Sequence, residues 1–245
     1  MFTGIVEELG TIANMQQSGE AMKLTIHAKK ILSDVHLGDS IAVNGICLTV
    51  TSFTTTSFTV DAMPETMQST SLRMLKPHSK VNLERAMAAN GRFGGHFVSG
   101  HIDGIGTILN KKQHYNAIYY KIAISDELLR YCLHKGSIAV DGTSLTIFDI
   151  DESSITISLI PHTVSESVIG EKNAGDIVNI ECDMIGKYIE RFITKPTKRV
   201  GSMTESFLQE NGFPDILCTQ ETSGKFYRLL AEKMGYPYTF NLKKG

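Results

Sequence analysis

Apolar residues along this chain recur mostly at short range. In ICLTVTSF (46–53) and FTVDAM (58–63) apolar and polar side chains partly alternate, the period of a strand with one buried face. Similar short segments rich in Val, Ile, Thr and Phe continue to about residue 185, punctuated by Gly, Asn and Asp. Asn44-Gly45 and Asp141-Gly142 are the strongest turn signals, because both residue types tolerate left-handed backbone. Two pieces depart from the strand pattern: AKKILSDV (28–35) and SDELLRY (125–131) each predict a brief helix closing one end of a barrel. After residue 185 the period changes. GKYIERFIT (186–194) places Tyr188, Ile189, Phe192 and Ile193 on one helical face, an apolar face suited to its own barrel or to another subunit. A polar linker (195–202) leads to TESFLQENGF (204–213), with a Thr204 cap and Gly212 near its end, and then to GKFYRLLAEKMG (224–235), stopped by Gly235.

The strand-rich part is written twice. FTGIVEELGTI (2–12) realigns with VSGHIDGIGTI (98–108) at an offset of 96, and SIAVNGICLTV (40–50) matches SIAVDGTSLTI (137–147) at an offset of 97, with seven of eleven positions identical. The latter offset also pairs Pro64-Glu65-Thr66 with Pro161-His162-Thr163, and Val81-Asn82-Leu83-Glu84 with Val178-Asn179-Ile180-Glu181. Four blocks in one order mean an internal duplication. About six strands and a short helix in under 100 residues, without βαβ spacing, favour a small closed barrel over an open sheet. The chain is therefore expected to be mainly β: two tandem antiparallel β-barrels of the same fold (1–96 and 97–185), then a C-terminal helical tail (186–213) and an extension of unknown role (214–245).

Composition narrows the function classes. The 24 Lys and Arg against 26 Asp and Glu give a net charge of -2, which offers no electrostatic reason to expect nucleic acid or an anionic membrane as partner. The four cysteines are Cys47, Cys132, Cys182 and Cys218; they form no CxxC pair, no metal-ligand spacing is present, and a reducing compartment is expected. No basic leader precedes an apolar run, and no stretch approaches the roughly 18 apolar residues of a membrane helix, so a cytoplasmic location is expected.

Candidate chemistry sits where the two copies agree in form and differ in side chain. Gly45-Ile46-Cys47-Leu48-Thr49 and Gly142-Thr143-Ser144-Leu145-Thr146 set small hydrogen-bonding groups on one strand face, a lining suited to a flat heteroaromatic ligand. Met63-Pro64-Glu65-Thr66 and Ile160-Pro161-His162-Thr163 end strands, and the missing proline N–H frees nearby backbone to face a ligand. The junction Arg92-Phe93-Gly94-Gly95-His96-Phe97-Val98-Ser99-Gly100-His101 combines paired glycines with two titratable imidazoles. Copy two carries Ser144 for Cys47, His101 for Ile5 and Asp183 for Ala86, and Lys135 where copy one has Leu37 across a one-residue gap. Two similar but chemically unequal surfaces suit two molecules of one ligand held in different roles.

MFTGIVEELG, NGICLTV, DGTSLTI and GGHFVSGHIDG together resemble riboflavin synthase of the trimeric, lumazine-dismutating type, over about residues 1–213. The resemblance implies a cofactor-free and metal-free transfer of a four-carbon unit between two molecules of 6,7-dimethyl-8-ribityllumazine, giving riboflavin and 5-amino-6-(D-ribitylamino)uracil. It implies a homotrimer with residues 186–213 as its helical contact, association with lumazine synthase, and active sites between the first barrel of one subunit and the second of a neighbour. Carried over by residue, the first-barrel site comprises Phe2, Gly4, Ile5, Val6, Ser40, Cys47, Leu48, Thr49, Asp61, Ala62, Met63, Pro64, Glu65 and Thr66. The second comprises Gly100, His101, Ile102, Lys135, Ser144, Leu145, Thr146, Ser158, Leu159, Ile160, Pro161, His162 and Thr163, with Asp183 close by. His101, Ser144, Cys47, Asp183 and Lys135 are the expected catalytic group: His101 to assist deprotonation of the C7 methyl of one lumazine, and Ser144, Asp183, Cys47 or a water to supply or position a nucleophile at C7 of the other. The rival reading is a non-catalytic lumazine- or flavin-binding antenna protein on the same scaffold.

Overall fold

The computed structural model describes residues 1–194. Met1–Arg191 form one compact unit, and Phe192–Thr194 complete the last helix described. The first copy folds as β1 (Glu8–Ser18), β2 (Ala21–His27), β3 (Ser40–Val43), β4 (Ile46–Phe53), β5 (Ser57–Ala62) and β6 (Lys80–Arg85). All pairs are antiparallel, in the order β1-β2-β5-β4-β3-β6, and β6 returns to β1 to close the barrel. The second copy repeats the order with β7 (Gly104–His114), β8 (Ala117–Ala123), β9 (Ser137–Val140), β10 (Thr143–Ile150), β11 (Ser154–Leu159) and β12 (Ile177–Cys182). Closure leaves no unpaired sheet edge, which a free six-stranded sheet would expose to association.

Each barrel buries its own core. Ile12, Leu24, Ile26, Ile41, Phe58, Val60, Val81 and Leu83 fill the first, and Ile108, Tyr120, Ile122, Ile138, Ile147, Ile155, Ile157 and Ile180 fill the second. Bulges fall at equivalent places, between Val50 and Ser52 in β4 and between Ile147 and Asp149 in β10, and they bend the strands enough to close. The turn prolines open helices: Pro64 is the first residue of α1 (Pro64–Ser69), where its missing N–H costs nothing. The brief helices are a single 3-10 turn at Ile31–Ser33 and α2 (Asp126–Leu129). Pro161 opens α3 (Pro161–Ser165). The predicted helix at 186–194 is α4 (Met184–Thr194), whose Ile185, Tyr188, Ile189, Phe192 and Ile193 are all exposed. The helical patterns at 204–213 and 224–235 lie outside the described residues.

One alignment from sequence is corrected. Lys135 corresponds to Gly38, not to Leu37, and no gap is needed. Lys135 donates its N–H to Ile147 O and Gly38 donates to Val50 O, both at 2.9 Å, and the two share left-handed backbone (φ 63° and 89°). Lysine thus occupies a conformation that costs glycine nothing and a lysine on the order of 1 kcal/mol or more.

The barrels join through a near-symmetric polar seam. The β3–β4 and β9–β10 hairpin tips, Asn44-Gly45 and Asp141-Gly142, have φ of 47°, 81°, 46° and 77°, as two-residue hairpin turns require. They meet tip to tip. A Cβ on Gly45 would lie 2.7 Å from Gly142 N, and one on Gly142 would lie 2.6 Å from Gly45 N. Buried Asn82 donates from Nδ2 to Asp141 O (2.8 Å) and accepts at Oδ1 from Val168 N (2.8 Å); Asn179 mirrors this, donating to Asn44 O (2.9 Å) and accepting from Ser71 N (2.7 Å).

Candidate functional site

The N-terminal segment of each copy crosses to the other barrel. Phe2 and Val98 form an antiparallel bridge, with Phe2 N to Val98 O at 2.7 Å and Val98 N to Phe2 O at 3.2 Å. Beyond it, Ser144 N donates to Gly4 O (2.7 Å) and Cys47 N donates to Gly100 O (2.8 Å). Gly4 and Gly100 have φ of 77° and 83°, and a Cβ on either would sit 2.7 or 2.6 Å from the Cβ of Ser144 or Cys47. Within the single chain the crossing segments therefore pair across the two copies. Gly4 is brought to Ser144, and Gly100 to Cys47.

Two buried carboxylates hold the crossing segments. Glu84 accepts from Thr3 N (2.7 Å), Thr3 Oγ1 (2.9 Å) and Gly4 N (3.0 Å); Glu181 accepts from Ser99 N (2.6 Å), Ser99 Oγ (2.7 Å) and Gly100 N (3.0 Å). Burial pushes the Glu84 carboxyl above its ordinary range, against the hydrogen bonds from Thr3 and Gly4. These clamps escaped the functional reading of the sequence. Their signal was the repeated Val-Asn-Leu/Ile-Glu block, which served there only as a marker of duplication.

A second feature is a histidine–serine pair. His96 Nδ1 lies 2.7 Å from Ser144 Oγ, and His96 is buried, with Nε2 left without a partner among the described residues. Burial lowers its affinity for a proton, opposed by the charges of Asp183 and Glu181, so the ring is held toward its neutral form. A neutral imidazole can take a proton from a hydroxyl or hold one toward it, which suits a polarised Ser144. Sequence singled out the junction but gave the chemistry to His101, whose side chain is exposed and whose N–H bonds Ser99 Oγ at 3.2 Å. Gly95 explains the close approach, since a Cβ there would lie 2.0 Å from Thr3 O.

The other candidates distribute by barrel. Lys135, Thr146 and Ser158 line one open groove of about 600 Å³ on the second barrel, with His134, Ile147, Phe148 and Asp149. That volume is within the usual range for small-molecule sites. Leu145 is half-buried against the second core, Leu159 is fully buried within it, and Ile160, Pro161 and His162 are exposed where β11 runs into α3, with Thr163 half-buried there. On the first barrel, Ser40 lies in a smaller cleft of about 140 Å³ with Asp34, Arg85 and Ala86. Thr49, Asp61, Met63 and Glu65 are exposed along β4, β5 and the start of α1, and Thr66 is half-buried there; Ala62 and Leu48 belong to the first core, against which Ile102 of the second copy packs. Asp183 is half-buried, and its Oδ1 accepts from Ile185 N (3.0 Å) at the start of α4. Cys47 and Ser144 occupy equivalent half-buried positions on β4 and β10.

The lumazine binding domain family matches this chain twice, over residues 3–86 and 99–183. The chain is 61% identical over 215 residues to "Riboflavin synthase" of Bacillus subtilis (strain 168), covering 87% of this chain and all of that one. It is 48% identical over 197 residues to "Riboflavin synthase" of Schizosaccharomyces pombe (strain 972 / ATCC 24843), covering 79% and 94%. Among solved structures it resembles LumP complexed with 6,7-dimethyl-8-(1'-D-ribityl) lumazine, at 27% identity and a TM-score of 0.68, covering 74% of this chain and 99% of that one.

Proposed function

This chain belongs to the riboflavin synthase family and is an enzyme of riboflavin biosynthesis, and we propose that its two barrels hold one molecule each of 6,7-dimethyl-8-ribityllumazine for transfer of a four-carbon unit. The observation that carries this reading is the pairing of two like surfaces with unlike reactive groups: Cys47 on β4, and Ser144 with its buried His96 partner on β10. A protein that only binds ligand has no need of a polarised hydroxyl in one copy alone. Aligning two reactants contributes about 7–11 kcal/mol by itself, so the side chains have only proton movement left to supply. In this reading the groove of Lys135, Thr146 and Ser158 receives the polyol and ring edge of one lumazine. Ser144, polarised by His96, positions the nucleophile at C7, and His101 assists loss of the C7 methyl proton from the other.

The first site is built from Phe2, Gly4 to Val6, Ser40, Cys47 to Thr49 and Asp61 to Thr66, and the second from Gly100 to Ile102, Lys135, Ser144 to Thr146 and Ser158 to Thr163, with Asp183. Within one chain Gly4 of the first site already occupies Ser144 N of the second, and Gly100 of the second occupies Cys47 N of the first. A neighbouring subunit completes the two sites in this reading, with the exposed apolar face of α4 as the contact of a homotrimer. Residues 1–96 and 97–185 serve as the two lumazine-binding domains and 186–213 as the trimer contact. The enzyme works in the cytoplasm and associates with lumazine synthase.

The decisive experiment incubates the protein with 6,7-dimethyl-8-ribityllumazine alone and follows both species by chromatography. One riboflavin for two lumazines consumed is expected, and Ser144→Ala should lower turnover on the order of 100-fold with lumazine affinity nearly unchanged. Tight binding without conversion would instead identify an antenna-type binder.

A further inference from the structure

Two cysteines of the second barrel point at one carbonyl. Cys132, three residues after α2, and Cys182, the last residue of β12, are 8% and 1% exposed and carry no disulfide. Leu128 O lies 3.5 Å from Cys132 Sγ and 3.7 Å from Cys182 Sγ, so both thiols donate to the same carbonyl oxygen. The first barrel has Val35 and Arg85 at the equivalent positions, where Arg85 instead reaches Glu7 (2.5 Å) and Asp34 (2.6 Å). The thiol pair is therefore not inherited from the duplicated unit, and nothing in the barrel's closure requires sulfur at both places. Cys132 is the more accessible of the two, 8% exposed against 1%, which makes it the sulfur that an incoming oxidant meets first.

We propose that Cys132 and Cys182 form a thiol-oxidation site that a peroxide closes into a disulfide. The Cys132 thiolate attacks one peroxide oxygen, the O–O bond breaks, and sulfenic acid forms as hydroxide or alkoxide leaves. The Cys182 sulfur then displaces the sulfenic oxygen as water, so two thiols are oxidised and one peroxide is reduced. The bond ties together two segments that flank the proposed site. Cys132 is two residues from His134, which lines the groove with Lys135, and Cys182 directly precedes Asp183. Closing it fixes the Lys135 turn against the end of β12 and lowers turnover. That last consequence rests on the lumazine-dismutating reading; formation of the bond does not.

The test treats the reduced full-length protein with hydrogen peroxide, alkylates free thiols, and maps cross-linked peptides by mass spectrometry beside an assay of lumazine turnover. The expected result is a Cys132–Cys182 link, a several-fold fall in turnover, and recovery on adding dithiothreitol. Cys132→Val, which carries the first barrel's own residue, should form no link and keep its turnover under the same peroxide; Cys182→Ser repeats the comparison from the other side. Free thiols at both positions, a link to Cys47 or Cys218 instead, or a linked protein with undiminished turnover overturns the proposal. If no preparation converts lumazine yet the link forms, the functional reading fails while the oxidation site stands.

Discussion

A buried imidazole with one nitrogen bonded and the other without a partner is costly to protonate, and among the described residues His96 is such a group. Its folded pKa lies below the ordinary 6.5, so as pH falls from 6.5 toward that lower value the unfolded chain takes up a proton before the folded one does. Stability from this residue is complete above pH 6.5 and is lost through that window. Thermal melts between about pH 5 and pH 8 should therefore show a smaller acid-side loss for His96→Gln than for the parent. A steeper loss in the variant would contradict the assignment. Tyr120 offers a second test: its hydroxyl is buried without a partner among the described residues, and burial pushes it up to about 12. Tyr120→Phe removes the orphan and is expected to raise stability, by about 1–3 kcal/mol in denaturant titrations. At this scale the sequence was only half legible. It pointed to Cys47 and Ser144 through their repeated strand, but a hydrogen bond between residues 48 apart, such as His96–Ser144, leaves no local pattern.

Elements were easier to read, because their signals are local. Alternation predicted the strands, Asn-Gly and Asp-Gly predicted the hairpins, and helical spacing predicted α4 to within two residues of its start. What could not be read was how turns meet. Gly45 and Gly142 look like ordinary hairpin residues, yet each also leaves room for the other's backbone. Gly45→Ala should therefore cost more than a turn glycine alone, on the order of 3 kcal/mol, from its φ of 81° together with displacement of Gly142. Asn82→Ala should be similarly damaging, about 2–4 kcal/mol, since it strands Val168 N and Asp141 O in the seam. Both are measurable as shifts in denaturant midpoint, and a loss below about 1 kcal/mol at Asn82 would mean the seam is reached by water.

For the whole molecule, duplication was the legible fact, since four blocks recur in order, whereas the crossing of each N-terminal segment to the opposite barrel was not. Repeats define what each copy is, but not which copy its ends rest against. The crossing has a temporal consequence. The ribosome delivers the first copy well before the second, yet Cys47 N waits for Gly100 O, Asn44 O for Asn179 Nδ2, and Ser71 N for Asn179 Oδ1. At about 5–20 residues per second, the interval between residues 82 and 179 is on the order of 5–20 seconds. For that interval the nascent first barrel has a finished core but an incomplete seam, and its bare amide and carbonyl groups are open to the same groups on a barrel emerging from a neighbouring ribosome.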